Sequence, residues 1–230
     1  MSDTLETGYH QITDTMRGYY AHPVGQKNLS AIIILQEIFG VNDVMQETCH
    51  IFAAQGYHAI CPDLFHNLGE NIQLSDKTEE NWKQAFEYYQ AFDGAEGIKD
   101  IRATINFARG FAEKVGAVGY CLGGTLAYVT ATQTDIDASV GYYGIGIAEQ
   151  LDAVKQLKKP LMLHIAEEDQ FVSKEDQQKM RDYFEEIDLV TTHLYPGADH
   201  AFARIDGVTF HKEAAEKANH LTKEFFEKYL

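Results

Sequence analysis

The chain has 230 residues, 45% of them hydrophobic, which suits a single large core and argues against disorder. A formal net charge of −16 excludes polyanions, both nucleic acid and anionic membrane surfaces, as expected partners. The three cysteines, Cys49, Cys61 and Cys121, are odd in number and include no C-x-x-C, so zinc-ribbon and thioredoxin readings find no support. Met1 to Tyr9 holds no apolar run, so no signal peptide is expected, and no stretch approaches the length of a membrane span. A reducing cytoplasm is the expected setting, and it keeps Cys121 a thiol.

In chain order, Gly8 to Thr13 and Met16 to Ala21 read as a short hairpin at a sheet edge, with Asp14 in the turn. Ala31-Ile32-Ile33-Ile34-Leu35 is a continuous apolar run, the pattern of a strand buried on both faces in a parallel sheet. It ends at Gln36-Glu37-Ile38-Phe39-Gly40, after which Asp43 is expected to cap a helix reaching Gln55, closed by Gly56. Tyr57 to Cys61 reads as the next strand, stopped by Pro62-Asp63, and Leu64 to Thr78 as irregular chain beside a cleft. Helices are expected over Thr78 to Tyr89 and Glu96 to Phe111, broken by Gly94 to Gly97. Further strands are expected at Val115 to Val118, Ala138 to Tyr143, Pro160 to Ala166 and Thr191 to Tyr195. Helices are expected at Thr125 to Gln133, Lys174 to Ile187 and Phe210 to Leu230. Strands alternating with helices give a mostly parallel sheet covered on both faces, read as one α/β domain over residues 1–230. The ligand site of such a sheet lies at the strands' carboxyl ends, where Glu37, Cys121, Asp169 and His200 all fall.

Gly119-Tyr120-Cys121-Leu122-Gly123-Gly124 lies between an expected strand and an expected helix. It has the form of the nucleophile elbow of α/β-hydrolases, with cysteine in the nucleophile's place. Alone it fits a buried core thiol as well. Cys121, Asp169 and His200 then follow the chain order nucleophile, acid, base. A thiol needs a base to become a nucleophile, and His200 can take that proton and later return it to a leaving oxygen. Asp169 is expected to fix the imidazole's tautomer; Asp199 is a rival carboxylate, but an immediate neighbour of His200 rarely points the right way. The backbone N–H of Leu122, at the helix N-terminus, is expected to face the oxyanion.

The sequence resembles the dienelactone hydrolase family, carboxymethylenebutenolidase-like α/β-hydrolases, from about Ile32 to the final helix. The resemblance rests on Gln36 to Gly40, Cys61-Pro62-Asp63-Leu64, Gln90-Ala91-Phe92-Asp93 and Val118 to Gly124. It continues through Val140 to Gly144, Asp169-Gln170-Phe171-Val172 and His200-Ala201-Phe202-Ala203-Arg204. It implies Cys121 as nucleophile, His200 as base and Asp169 as its orienting acid. It also implies Glu37 as the carboxylate that contacts the thiol and helps generate the thiolate when substrate arrives. The amides of Leu122 and Ile38 become the oxyanion hole, and Arg204 the holder of a substrate carboxylate and a restraint on Glu37. Phe39, Tyr142 and Trp82 fall at substrate-binding positions.

Two departures stand out. The family's second arginine and a tyrosine fall, counting back from Gln90-Ala91-Phe92-Asp93, on Trp82 and Phe86, and no arginine occurs between Arg17 and Arg102. Asp199 stands where glycine is usual before the histidine. The expected function is cysteine-dependent hydrolysis of a carboxylic ester or lactone through an acyl-enzyme, on a small-molecule substrate, with no metal or organic cofactor. The alternatives are a thioesterase and a non-catalytic small-molecule-binding protein on the same scaffold.

Overall fold

The computed structural model describes residues 4 to 230; Met1 to Asp3, the start of the stretch read for a leader, lie outside it. The chain divides into two compact units, Met1–Ala117 and Val118–Leu230.

In the first unit, β1 (Leu5–Gln11) and β2 (Arg17–Pro23) form an antiparallel hairpin, with Gln11 opposite Arg17 at its closed end. The turn is held by the Thr13 hydroxyl, which accepts the Met16 N–H at 3.0 Å. β3 (Ala31–Leu35) is buried along its whole length, as its apolar run requires. After it comes α1 (Asp43–Ala54) and then β4 (His58–Pro62), which pairs parallel to β3 and antiparallel to β2.

The helix ends depart from expectation in two places. The cap of α1 is Asn42, whose side chain accepts the Met45 N–H, while Asp43 sits in the first turn where its charge suits the helix dipole. α2 (Glu79–Ala91) is capped by Thr78, and α3 (Gly94–Arg109) by Asp93, which accepts the Ala95 and Glu96 N–H groups. The break therefore falls at Phe92-Asp93, and both glycines lie inside α3. Gly97 is there for packing: a Cβ on it would meet the Phe92 ring at 2.3 Å.

The chain passes into the second unit within β5 (Val115–Tyr120). α4 (Leu122–Gln133), β6 (Ala138–Tyr142), β7 (Leu161–Ala166), α5 (Lys174–Glu185), β8 (Val190–Tyr195) and α6 (Lys212–Tyr229) follow. β6, β7 and β8 pair in parallel. Two short 3-10 turns, Ile147–Glu149 and Leu151–Gln156, lie between β6 and β7 and were not anticipated. They bury Ile147, Ala148, Leu151 and Val154 against Tyr128, Leu163 and Phe184. The strand order is β1-β2-β4-β3-β5-β6-β7-β8.

Candidate active site

In the first unit, the segment after β3 is pinned on three sides. The Gln36 side chain accepts the Leu64 N–H at 3.0 Å, and the Phe39 carbonyl accepts the Leu74 N–H at 2.9 Å. Gly40, at φ 76°, runs so close to Ile72 that a Cβ would lie 2.0 Å from its carbonyl oxygen. Glu37, Ile38 and Phe39 are thereby held rigidly, all three buried. The Phe39 ring meets Trp82 edge-on with centroids 5.0 Å apart, and Trp82 packs on Phe86 at 5.6 Å. The Trp82 indole donates to the Asp76 carbonyl at 3.0 Å, which fixes its orientation. Phe39, Trp82 and Phe86 thus form an anchored aromatic trio.

In the second unit, Cys121 sits between β5 and α4 at φ 56° and ψ −115°, a conformation that costs a non-glycine residue about 1–3 kcal/mol. The strain is imposed by neighbours that leave no room for side chains. A Cβ on Gly119 would lie 1.9 Å from the Gly123 carbonyl oxygen, and one on Gly124 would lie 2.2 Å from that of Tyr142. The Cys121 N–H donates to the Tyr142 carbonyl at 3.1 Å, tying the elbow to the end of β6. The Cys121 carbonyl accepts the Gly124 and Thr125 N–H groups, so α4 starts directly after Cys121 and Leu122 supplies its first N–H.

His200 lies in the segment after β8. Its Nδ1 is 2.9 Å from Asp169 Oδ2, and both side chains are buried. The other oxygen, Asp169 Oδ1, accepts the Phe171 N–H at 2.9 Å, which locks the carboxylate's orientation. Asp199 accepts the backbone N–H of His200 at 2.6 Å, so it braces the loop rather than the ring. The loop is tied further by Thr209, whose hydroxyl donates to the His200 carbonyl at 2.6 Å. Tyr143 and Phe171 flank the imidazole, with centroids at 5.2 and 4.9 Å.

Burial opposes a charge on His200, but the neighbouring Cys121 sulfur and the Asp169 carboxylate outweigh it and raise its pKa to about 10. Its Nε2 makes no well-aligned hydrogen bond, yet Cys121 is near enough to act on the ring's charge. Such looseness is usual where the bond tightens only with substrate bound. Arg204, four residues on, is buried, with its N–H bonded to the Ala201 carbonyl at 2.9 Å.

The model of the dienelactone hydrolase family matches residues 16–230. The chain belongs to that family. The carboxymethylenebutenolidase of Pseudomonas putida is 40% identical over 197 residues, 84% of each chain. A protein of Azospirillum brasilense is 42% identical over 218 residues, 92% of this chain and 93% of its own. A crystal structure from Klebsiella pneumoniae superposes with a TM-score of 0.88 over 99% of this chain and all of that one. At 23% identity this last likeness speaks to the fold alone, which is that of the α/β-hydrolases. This dienelactone hydrolase-like protein is accordingly a hydrolase of carboxylic ester or lactone bonds.

One expected site residue of this hydrolase is placed elsewhere. Tyr142 is fully buried, and its hydroxyl lies 2.6 Å from Thr222 Oγ1 and 3.1 Å from Asn219 Oδ1 on α6. Tyr142, expected at a substrate-binding position, is held by α6 through its hydroxyl, and the tyrosine ring beside the imidazole is that of Tyr143. Side chains of successive strand residues point to opposite faces, so an error of one position exchanges core for site. Phe171 was legible only as part of a motif, and nothing in the sequence marked Thr222 or His164 as tied to Tyr142. Among the described residues no cluster of His, Cys, Asp and Glu has the arrangement of a metal site, and no helix is long and apolar enough to cross a membrane.

Proposed function

We propose that this hydrolase works through an acyl-enzyme on Cys121. The observation that carries the reading is the Asp169–His200 pair at 2.9 Å, with the imidazole's charge favoured by the elbow cysteine. His200 takes the thiol proton, and the sulfur attacks the ester or lactone carbonyl carbon. The oxyanion forms against the N–H groups of Leu122 and, by family resemblance, Ile38. As the tetrahedral intermediate collapses, the carbon–oxygen bond breaks and His200 Nε2 returns the proton to the leaving oxygen. Water, deprotonated by His200, then releases the acid and restores the thiol. Asp169 holds the tautomer throughout.

The family resemblance adds Glu37 as the carboxylate that helps generate the thiolate when substrate arrives, and Arg204 as the holder of a substrate carboxylate. An arginine offers two parallel donors to such a group. With Trp82 in place of a second arginine, one charged contact is lost, which weakens the preference for anionic substrates by about tenfold to a hundredfold. The anchored Phe39–Trp82–Phe86 trio instead favours a flat apolar group. The proposed substrates are therefore neutral aryl esters or apolar lactones, met in the cytoplasm. Residues 1–230 acting as one domain is part of the same proposal, supported by a family match that runs across both compact units.

A panel of dienelactone, aryl esters and acyl thioesters tests the reading, with Cys121→Ala as control. Turnover of neutral aryl esters exceeding that of dienelactone is expected. Trp82→Arg is expected to move the kcat/KM ratio toward the anionic lactone. Wild-type turnover of dienelactone far above any neutral ester would overturn the inference from Trp82.

A further inference from the structure

The proposed chemistry places one part of the substrate with little freedom. The leaving oxygen receives its proton from His200 Nε2, so the two atoms come within hydrogen-bond reach, about 2.6–3.2 Å. The leaving group must then lie against the imidazole, and whatever flanks the ring flanks the leaving group.

The two neighbours differ. One neighbour is Tyr143, at 5.2 Å between centroids and only 2% exposed, its backbone N–H bonded to the His164 carbonyl at 2.8 Å. The other is Phe171, at 4.9 Å with its ring plane 83° from that of His200, and 40% exposed. An exposed phenylalanine next to a buried catalytic pair is otherwise a poor use of apolar surface. Its position is not loose, because its N–H donates to Asp169 Oδ1 at 2.9 Å. The carboxylate that orients the histidine thus also anchors the backbone of the residue whose ring lies beside it, and that residue remains partly open to solvent.

We propose that Phe171 is the specificity residue for the leaving group, selecting esters whose alcohol portion is flat and apolar. The proposal rests on the acyl-enzyme reading above. It separates the two halves of the substrate: the acyl half meets the elbow, and the departing half meets Phe171. Aromatic stacking and burial of this size correspond to a preference of roughly five- to tenfold.

The test compares two acetates whose alcohols have similar acidity but different shape, phenyl acetate and hexafluoroisopropyl acetate. A second series holds 4-nitrophenol as leaving group and lengthens the acyl chain from acetate to hexanoate. Phe171→Ala is expected to lower the phenyl to hexafluoroisopropyl ratio of kcat/KM roughly tenfold, while leaving the ratios of the acyl series in place. Phe171→Tyr, which keeps the ring, is expected to retain the wild-type ratio, and Phe171→Leu, which keeps most of the volume, to lose it. An equal fall for both acetates with a displaced pH profile would mean that Phe171 only positions His200, and would overturn the proposal. A change confined to the acyl series would overturn it too. If Cys121→Ala hydrolysed these esters as fast as wild type, the acyl-enzyme reading itself would fall, which is a separate result from either.

Discussion

His200 is pulled in opposite directions. Burial alone would make it a weak base, and a buried unpartnered imidazole stays neutral near pH 7. The Cys121 sulfur and the Asp169 carboxylate reverse this and raise its pKa to about 10. The sign for stability follows: the protonated ring's contribution is fully present below about 6.5, its ordinary pKa, and is lost as pH rises through about 10. In the proposed mechanism, the proton required by the leaving oxygen is available over the same range. With an ester whose alcohol leaves poorly, the alkaline limb of kcat/KM is expected near pH 10, and Asp169→Asn is expected to shift it downward. An alkaline limb near 6.5 in wild type would show that the sulfur does not act on the ring. At this scale the pairing of Asp169 with His200 and the turn at Cys121 were legible in the sequence. Cys121, Asp169 and His200 each fall at a strand end, and the glycine spacing around Cys121 reflects contacts that admit no Cβ. What was not legible is which of two adjacent tyrosines faces the imidazole, since both fit the same apolar strand.

β6, β7, β8 and α6 are joined by a chain of buried hydrogen bonds. Tyr195 lies 2.8 Å from His164 Nδ1, His164 Nε2 lies 2.9 Å from Thr222, Thr222 lies 2.6 Å from the Tyr142 hydroxyl, and Tyr142 donates to Asn219 at 3.1 Å. Burial, and then the neighbouring His193, hold the His164 pKa well below its ordinary value, so the ring is neutral and has one donor and one acceptor. A single direction satisfies every group. Tyr195 donates to His164, His164 to Thr222, Thr222 to Tyr142, and Tyr142 to Asn219. Of these strands, β6 and β7 supply the carbonyls that hold the Cys121 and Tyr143 N–H groups. Thr222→Val keeps the shape but leaves His164 Nε2 without an acceptor, and is expected to cost about 1–3 kcal/mol in denaturant unfolding. It is also expected to lower kcat more than it raises KM, because the elbow and not the binding surface loses its support. Thr222→Ser, which keeps the hydroxyl, is expected to restore both. Thr222→Val with wild-type stability would show that the chain is not closed as described. This link was invisible beforehand because α6 shows a sound apolar stripe, and one threonine within it reads as a tolerated core residue. The cap of α1 is ambiguous in the sequence for a related reason: Asn42 and Asp43 are adjacent, both are good capping residues, and only geometry separates them.

Across the whole molecule, the strand and helix order was legible because β3, β5 and β7 are buried, mostly apolar runs, and helices such as α1, α3 and α5 present one buried face. The 3-10 turns between β6 and β7 were not, being too short to show a period. The chain's three thiols also separate cleanly at this scale. Cys49 and Cys61 are buried in the first unit, where burial pushes both thiols far above their ordinary pKa and leaves them inert. Cys121 has His200 near enough to act on its charge. The most direct test of the account is the intact mass of the protein after rapid mixing with phenyl acetate and an acid quench. One added acetyl group is expected, mapping to the peptide that carries Cys121 and absent from Cys121→Ala along with turnover. An acetyl group on another residue, or unchanged turnover by Cys121→Ala, would contradict it.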